Sequence, residues 1–399
     1  MNPFKKVFCR VYQFCFHLAL PVLPYREPKI LKCVNEIPTE IKRLDIKKAL
    51  IITDEFLKKS GATEEMELSL YGNNIEFAIY DKTRPNPTTA NVEEALSLYN
   101  REKCECIIAF GGGSTMDCAK AVGARVVYPK KSLDKLKGDL RIFRKLPPLF
   151  AVPTTAGTGS EVTLTAVITD AEKKHKYTMN SFPLIPRYAV LDPKVTYTLP
   201  KHITSTTGMD ALTHAVEAYI GRSTSKETRR LSMEAVKLVF ENVETAYNEP
   251  ENYTARENML SAAYKAGIAF SKSYVGYVHA VAHSLGGQYN VPHGLANSVL
   301  LPYFLEAYGE KLHKKLYNLA VYSGIADENE THKVAAGKFI EKVKTLNENM
   351  NIPNKIEGIK KEDIPIMAKH ADKEGNPLYP VPVLMNAQEL EKFYFSVME

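Results

Sequence analysis

Short apolar runs alternate with amphipathic stretches in the first half of the chain. The apolar runs are bounded by glycine, proline and aspartate, and they lie at 49–53, 75–80, 106–110, 149–152 and 188–191. Runs of this kind predict strands that are buried on both faces of a parallel sheet. Helical spacing fills the intervals, for example at 91–100 and 114–124. Strands that alternate with helices predict a doubly wound α/β domain, which we place at residues 29–198.

The pattern changes after residue 198, where only helical spacing remains. The predicted helices lie at 206–220, 226–244, 255–271, 295–308, 311–323 and 331–347. A last helix is expected to begin at Asn386, because Asn386 and Glu389 form a capping pair ahead of an apolar stretch. We therefore predict an all-helical domain over residues 199–399.

Residues 1–28 form an N-terminal extension ahead of both domains. Apolar residues recur in it at helical spacing, which predicts an amphipathic helix: Phe4, Val7, Phe8, Val11, Cys15 and Leu18. The uncharged run 11–25 is shorter than the ~20 apolar residues that a bilayer span needs, and no small-residue cleavage site follows it. We interpret the helix as a cap on the fold or a subunit contact; docking on a membrane surface is the alternative.

Composition and charge are those of an ordinary globular protein. The chain has 399 residues, of which 45% are hydrophobic and 25% charged, and its formal net charge is +6. No dense basic stripe with interleaved aromatic residues occurs, so we expect no nucleic-acid partner. None of the six cysteines forms a C-x-x-C pair, which favours free thiols and a cytoplasmic protein.

Two glycine-bearing loops are candidate phosphate sites. Gly111, Gly112, Gly113 and Ser114 separate a predicted strand from a predicted helix, where backbone N–H groups and the helix dipole suit a pyrophosphate. The G-x-G-x-x-G pattern is absent, so a plain glycine turn is the alternative. A second loop at 153–161, rich in threonine and glycine, follows another strand. Two such loops at strand ends suit a Rossmann-like dinucleotide site.

Asp54 ends an early predicted strand, where its carboxylate could bind a ribose. A carboxylate there repels a 2′-phosphate, so NAD is favoured, with NADP possible. Asp54 also precedes a helical stretch, and a helix N-cap is the alternative interpretation.

Histidines and one aspartate suggest a metal site in the helical domain. Asp210 and His214 share one face of a predicted helix, as do His279 and His283, whereas His293 lies in a predicted turn. A carboxylate with several imidazoles suits Fe(II) or Zn(II). A single histidine is more often a hydrogen-bonded core residue, but the cluster favours a metal.

Four ordered motifs make the chain resemble the iron-containing (group III) alcohol dehydrogenase family from about residue 45 onward. They are GGGSTMDCAK at 111–120, PTTAGTGSEVT at 153–163, GMDALTHAVEAY at 208–219 and HAVAHSLGGQYNVPHGLANSVLLP at 279–302. A family member usually begins with a strand and a glycine-bearing loop, whereas 29–44 lacks glycine.

The resemblance implies a role for each matching residue. It implies four metal ligands, Asp210, His214, His279 and His293, and a non-ligand catalytic histidine, His283. It implies cofactor contacts from Gly111, Gly112, Gly113, Ser114, Thr154, Thr155 and Thr158, and also from Asp54, Asn86, Thr163 and Lys176. It further implies a homodimer.

We therefore expect an enzyme that transfers hydride reversibly between NAD(H) and a primary alcohol or aldehyde of the butanol or diol type. A bound metal would act as a Lewis acid, and His283 would relay the proton. Alternatives are a polyol or glycerol dehydrogenase, a lyase on the same architecture or a metallohydrolase, although the last has no use for the two glycine loops. The expected partners are a small substrate and a second copy, without a membrane.

Overall fold

The computed structural model describes residues 1–19, 23–170 and 175–399. The chain divides into two compact units. An α/β unit comprises Pro24–Leu199, and a helical unit comprises Pro200–Glu399 together with Met1–Leu23. The N-terminal segment therefore groups with the helical unit, although it precedes the α/β unit in the sequence.

The α/β unit contains a six-stranded sheet of parallel strands. These are β1 (Lys29–Leu31), β2 (Lys48–Ile52), β3 (Glu76–Tyr80), β4 (Cys106–Gly111), β6 (Leu149–Pro153) and β9 (Tyr188–Val190), in the spatial order β1-β9-β6-β4-β2-β3. Its helices are α2 (Ile37–Arg43), α3 (Glu55–Lys59), α4 (Glu64–Gly72), α5 (Thr89–Arg101) and α6 (Gly113–Val127). The predicted doubly wound class is confirmed.

Both faces of this sheet are covered, because successive side chains of a strand point to opposite sides. Leu50 and Ile52 of β2 join one core cluster, and Ala49 and Ile51 join the other. The chain order reverses at β2, which has β3 on one side and β4 on the other. In open α/β sheets, ligands bind beyond the carboxyl ends of the strands at such a reversal.

A second, smaller sheet was not predicted from the sequence. It consists of β5 (Gly138–Asp139), β7 (Thr165–Asp170) and β8 (His175–Asn180), in the order β5-β8-β7. Strands β7 and β8 mix polar and apolar residues, so neither gives the continuous apolar run by which we recognised the parallel strands. The strand β1 was also not predicted. Only Leu31 of its three residues is buried, so it lacks a continuous apolar run.

The helical unit contains ten α-helices among its described residues. They are α1 (Pro3–Ala19), α7 (Lys201–Ile220), α8 (Lys226–Asn248), α9 (Tyr253–Ser273), α10 (Tyr277–Tyr289), α11 (His293–Tyr308), α12 (His313–Tyr322), α13 (His332–Asn349), α14 (Ile364–Gly375) and α15 (Ala387–Val397). The capping pair is confirmed, since Asn386 and Glu389 bond reciprocally at the start of α15. Helix α14 was not predicted.

Helix α1 packs on the helical unit through its less apolar face. Cys9 and Gln13 are its buried residues, whereas Phe4, Val7 and Phe8 are exposed. The expected amphipathic helix is present. Its apolar side does not cap the fold of its own chain, and the expected subunit contact stays a prediction. No helix in the described part of the chain has the length and hydropathy needed to cross a bilayer.

Candidate metal centre and nucleotide loops

Four side chains from three helices converge inside the helical unit. Asp210 and His214 lie one turn apart on α7, His279 lies in the first turn of α10, and His293 is the first residue of α11. The sequence placed His293 in a turn, whereas the helix already begins there. One donor atom from each of the four lies within 4.8 Å of the others.

The distances suit a single ion at the centre of the set. Asp210 Oδ1 lies 3.9 Å from His279 Nε2 and 3.5 Å from His293 Nε2, and Asp210 Oδ2 lies 3.9 Å from His214 Nδ1. Two donors on opposite sides of one ion can be at most about 4.4 Å apart, at a bond length near 2.2 Å. The widest separation, 4.8 Å, therefore requires only a small side-chain adjustment.

His279 gives the clearest sign that something belongs at this centre. Its Nδ1 lies 2.6 Å from Glu217 Oε2, while its buried Nε2 has no hydrogen-bond partner among the described residues. Buried polar atoms without a partner are rare because each costs roughly 1–3 kcal/mol. Burial, followed by the neighbouring histidines, holds the pKa of His279 well below its ordinary value. The ring is therefore neutral, which is the form that binds a metal.

Glu217 orients His279 and was not recognised from the sequence. Its carboxylate accepts hydrogen bonds from the backbone N–H groups of Gly276 and Val278, at 2.8 Å and 2.9 Å, and it faces His279 Nδ1. Burial raises the pKa of Glu217 to about 7. A carboxylate on the second nitrogen of a ligand histidine fixes the tautomer, so that Nε2 points to the metal. Glu217 follows His214 by three residues, and that helical spacing was a signal available in the sequence.

Asn297 and Phe270 lie beside the candidate ligands. Asn297 donates its side-chain N–H to Asp210 Oδ1 at 2.7 Å, and the same nitrogen lies 3.1 Å from His293 Nε2. The ring of Phe270 stacks on His214, with the centroids 4.2 Å apart. One wall of the centre is thus polar and another is aromatic.

His283 lies next to the four candidate ligands but outside their donor set. Its ring stacks on His293 with the centroids 5.1 Å apart, and its Nδ1 lies 2.6 Å from Glu374 Oε1. Tyr379 donates its hydroxyl to the same Glu374 oxygen at 2.7 Å. His283 is therefore oriented by a carboxylate, as His279 is. Glu374 belongs to α14, which the sequence reading missed, so no local signal pointed to it.

The two glycine-bearing loops of the α/β unit contact each other. Gly112 caps helix α6 and Gly113 is its first residue. A Cβ added to Gly113 would lie 2.9 Å from Thr158 Cγ2, and one added to Gly112 would lie 3.4 Å from Thr155. Thr154 N–H donates to Gly111 O at 3.1 Å. Only glycine at position 113 allows the loops to pack this closely.

Thr155 offers a polar atom that nothing in the described residues uses. Its Oγ1 is buried and has no hydrogen-bond partner. It lies beside Gly112, where the helix N-terminus directs backbone N–H groups outward. A hydroxyl and a helix N-terminus in one place fit a phosphate group.

A second group of predicted cofactor residues is connected by hydrogen bonds in the α/β unit: Asn86, Ser114 and Lys176. Lys176 Nζ donates to Asn86 Oδ1 at 2.9 Å, and Asn86 N–H donates to Ser114 Oγ at 3.2 Å. Asn86 adopts a left-handed backbone conformation with φ of 57°. The resemblance alone had selected Lys176, and it does contact another predicted cofactor residue.

Thr163 and Asp54 already have structural partners. Thr163 Oγ1 accepts a hydrogen bond from Lys120 Nζ at 2.9 Å, and Asp54 Oδ1 accepts one from Leu57 N–H at 2.9 Å as the N-cap of α3. The buried ammonium of Lys120 also bonds Ser160 Oγ, and burial lowers its pKa to about 8. Lys120 thus ties α6 to the second loop, a role that its position in the GGGSTMDCAK motif did not reveal.

Comparisons with known proteins agree with this geometry. The family described as iron-containing alcohol dehydrogenase matches residues 31–193, and the C-terminal part of the Fe-containing alcohol dehydrogenase family matches residues 204–398. This chain belongs to the iron-containing alcohol dehydrogenase family. It is an oxidoreductase of alcohols and aldehydes whose cofactors are NAD and a divalent metal, as predicted.

Individual relatives of this family member cover nearly its whole length. The 1,3-propanediol dehydrogenase of Klebsiella pneumoniae is 37% identical over 95% of this chain and 98% of its own. The NAD-dependent methanol dehydrogenase of Bacillus methanolicus is 35% identical over 85% of this chain and 89% of its own. A crystal structure of a 1,3-propanediol oxidoreductase superposes with a TM-score of 0.89 at 36% identity, over 94% of this chain and 99% of that one.

Proposed function

We propose that this alcohol dehydrogenase holds its divalent metal with Asp210, His214, His279 and His293. The observation that carries the proposal is the buried Nε2 of His279, which has no hydrogen-bond partner among the described residues and lies 3.9 Å from Asp210 Oδ1. Three imidazoles and one carboxylate accept Fe(II) and also Zn(II). Fe(II) is the first choice because the matching family is described as iron-containing.

NAD binds at the two contacting loops of the α/β unit in this proposal. Gly111–Ser114 and the start of α6 receive the pyrophosphate, and Thr154, Thr155 and Thr158 border it. Asn86 and Lys176 form a second contact, and Thr163, which accepts a hydrogen bond from Lys120, is a further proposed contact. Asp54 at the end of β2 faces the ribose, which favours NAD over NADP.

The proposed ligands and the residues that contact them have different roles in catalysis. A bound divalent metal supplies Lewis acidity, and NAD supplies the hydride acceptor. Glu217 holds the His279 ring in the tautomer that presents Nε2. Glu374 occupies Nδ1 of His283, so that Nε2 of His283 is the atom that passes the substrate proton. Phe270, stacked on His214, excludes water from that side of the ligands.

The substrate is a small primary alcohol or aldehyde, of the butanol or short diol type. Two relatives support this substrate class, because they are named as dehydrogenases of 1,3-propanediol and of methanol, and both compounds are primary alcohols. A polyol such as glycerol is the second candidate. The enzyme is proposed to be a cytoplasmic homodimer, because its six cysteines are free and closed symmetric dimers are the commonest assembly.

A spectrophotometric screen tests this proposal. Primary alcohols, diols, glycerol and aldehydes are offered with NAD(H) and NADP(H), after chelation and after restoring Fe(II) or Zn(II) separately. We expect the highest kcat/KM with a short primary alcohol or its aldehyde, dependence on NAD(H), and activity only after the metal is restored. Full activity in the chelated protein would contradict the metal assignment, and a preference for glycerol would contradict the substrate class.

A further inference from the structure

Helix α1 turns a continuous apolar surface to solvent. Six large apolar side chains, here called the apolar stripe, are each between 56% and 86% exposed: Phe4, Val7, Phe8, Val11, Phe14 and Leu18. At 100° per residue they fall within an arc of about 120° on one side of the helix. Large contiguous apolar patches on proteins mark interaction sites, so we expect another surface to cover the apolar stripe.

The opposite face of α1 anchors the helix without using the apolar stripe. Gln13 donates its amide to the carbonyl oxygens of Pro377 and Tyr379, at 3.1 Å and 2.7 Å. Arg10 donates to the carbonyl oxygens of Val381 and Pro382, at 2.7 Å and 2.9 Å. A helix that folds onto its own protein ordinarily buries its apolar side. Here the hydrogen bonds of Gln13 and Arg10 hold the helix in place together with the buried Cys9 and a Phe16–Tyr274 ring contact, and the apolar stripe faces outward.

Positive charge borders the apolar stripe. Helix α1 contains Lys5, Lys6 and Arg10 but no aspartate or glutamate, and of these Lys5 pairs with Asp372 at 3.1 Å. A groove of about 680 Å³ runs beside the stripe, and its lining includes four cations, Lys6, Arg10, Arg222 and Lys311, but no carboxylate. Apolar side chains, among them Val7 and Phe14, line the rest. The groove thus offers cations next to an apolar surface, which complements an amphiphile with an anionic head.

We propose that α1 docks this protein on the surface of a bilayer that contains anionic phospholipid. The apolar stripe enters the boundary between headgroups and acyl chains, and the bordering cations meet the lipid phosphates. A second copy of the chain fits less well, because a two-fold contact through this face would bring the same four cations of each copy together. The sequence had favoured a cap or a subunit contact. The outward apolar stripe shows that this side does not cap the chain's own fold, and the bordering cations favour lipid over a second copy.

Vesicle co-sedimentation of the full-length protein tests the proposal. The vesicles are phosphatidylcholine alone, or equal parts of phosphatidylcholine and anionic phosphatidylglycerol. We expect the wild-type protein to sediment with the anionic vesicles, and more weakly as salt is raised. The double variant Phe4→Ser, Phe8→Ser should partition at least about tenfold less, because two exposed aromatic groups no longer enter the bilayer. Lys6→Gln should lose about fivefold on anionic vesicles only.

A matched pair elsewhere on the surface controls for the loss of exposed aromatic residues. Phe143 and Phe395 are 75% and 48% exposed and lie outside α1. The variant Phe143→Ser, Phe395→Ser should sediment as the wild type does. Both double variants should keep the far-ultraviolet circular dichroism and the alcohol dehydrogenase activity of the wild type, so a failure of docking is distinct from a failure of the enzyme.

A tryptophan reporter gives a second, independent measurement. The chain contains no tryptophan, so Phe8→Trp places a single reporter in the apolar stripe. Its emission should shift to shorter wavelength when anionic vesicles are added, whereas Phe143→Trp should not respond.

Two results would overturn docking on lipid. One is a wild-type protein that stays in the supernatant with anionic vesicles. The other is equal sedimentation of the wild type and the Phe4→Ser, Phe8→Ser variant. If that variant lowers the oligomeric mass by light scattering while the wild type ignores vesicles, the apolar stripe is a contact between copies and the proposal is wrong.

Discussion

The helical unit and the α/β unit build their candidate sites from different parts of the polypeptide. In the helical unit, the candidate site is made of side chains: Asp210 and three histidines converge, and Glu217 lies against His279 Nδ1. In the α/β unit, the candidate site is made mostly of backbone, since Gly112 and Gly113 bring a helix N-terminus against a second loop. The metal centre should therefore be sensitive to the identity of its side chains, and the nucleotide loops to added volume.

Removal of Asp210, the proposed carboxylate ligand, should give the largest effect. Asp210→Ala deletes the only anionic donor of the set, and we expect kcat/KM for alcohol oxidation to fall on the order of a thousandfold, because a Lewis acid contributes several kcal/mol. Steady-state kinetics with metal in excess measure the loss. Asp327→Ala, a change at an exposed turn, is the control. Near-normal activity of Asp210→Ala would remove the carboxylate from the ligand set.

Glu217→Gln tests the difference between binding a metal and orienting a ligand. The amide keeps the size of the carboxyl group. Its NH₂ cannot accept a hydrogen bond, however, so one of the backbone N–H groups that now donate to Glu217 loses its acceptor. Metal affinity should fall about 10- to 100-fold, as for other carboxylates behind a ligand histidine. Competition with a chelator measures it.

Glu161→Gln is the matched control for Glu217→Gln. Glu161 is a buried carboxyl of the α/β unit, and its replacement should leave metal affinity unchanged. Equal metal affinity in the two variants would show that Glu217 supports the fold without orienting a ligand.

Gly113→Ala tests the close packing of the nucleotide loops. The new Cβ would meet Thr158 Cγ2 at 2.9 Å, so the loops must separate. We expect the KM for NAD to rise about tenfold, or ~1.4 kcal/mol, with metal affinity unchanged. Adding Thr158→Ser, which removes that methyl group, should restore part of the affinity. Gly337→Ala, where no atom lies within 4 Å, should leave KM as it is.

Substitutions of Asp54 should give the smallest change. They distinguish its role as a helix N-cap from its proposed role in selecting NAD over NADP. Asparagine caps a helix as well as aspartate does, so Asp54→Asn should keep stability, whereas Asp54→Ala should lose ~1 kcal/mol. Both variants lose the charge that disfavours a 2′-phosphate. The kcat/KM ratio of NAD to NADP should therefore drop about fivefold in both. An unchanged ratio would leave Asp54 as a helix cap alone.

The sequence predicted those features that repeat or that cluster. Continuous apolar runs revealed β2, β4 and β6, and i,i+4 spacing placed Asp210 with His214. The antiparallel strands β7 and β8 were missed because they lack such an apolar run. Glu374 was missed because α14 carries no motif and meets His283 only through the tertiary fold. Local sequence patterns predict local structure, whereas contacts between residues that are distant along the chain produce no local pattern.

Helix α1 shows a related limit of sequence reasoning. Its amphipathic pattern predicted a helix correctly, but the pattern could not tell which face meets the protein. The answer depends on carbonyl oxygens near Pro377 and Pro382, more than 350 residues away, which bind Gln13 and Arg10.

Elemental analysis of reconstituted protein tests the metal assignment most directly. After chelation, wild-type protein, His279→Ala and His283→Ala are each loaded with Fe(II) or Zn(II) and desalted. His283 lies one turn after His279 on the same helix, so it controls for the loss of an imidazole. We predict one ion per chain in the wild type and in His283→Ala, and loss of that ion in His279→Ala. Retention of one ion by His279→Ala, with wild-type affinity, would contradict the account.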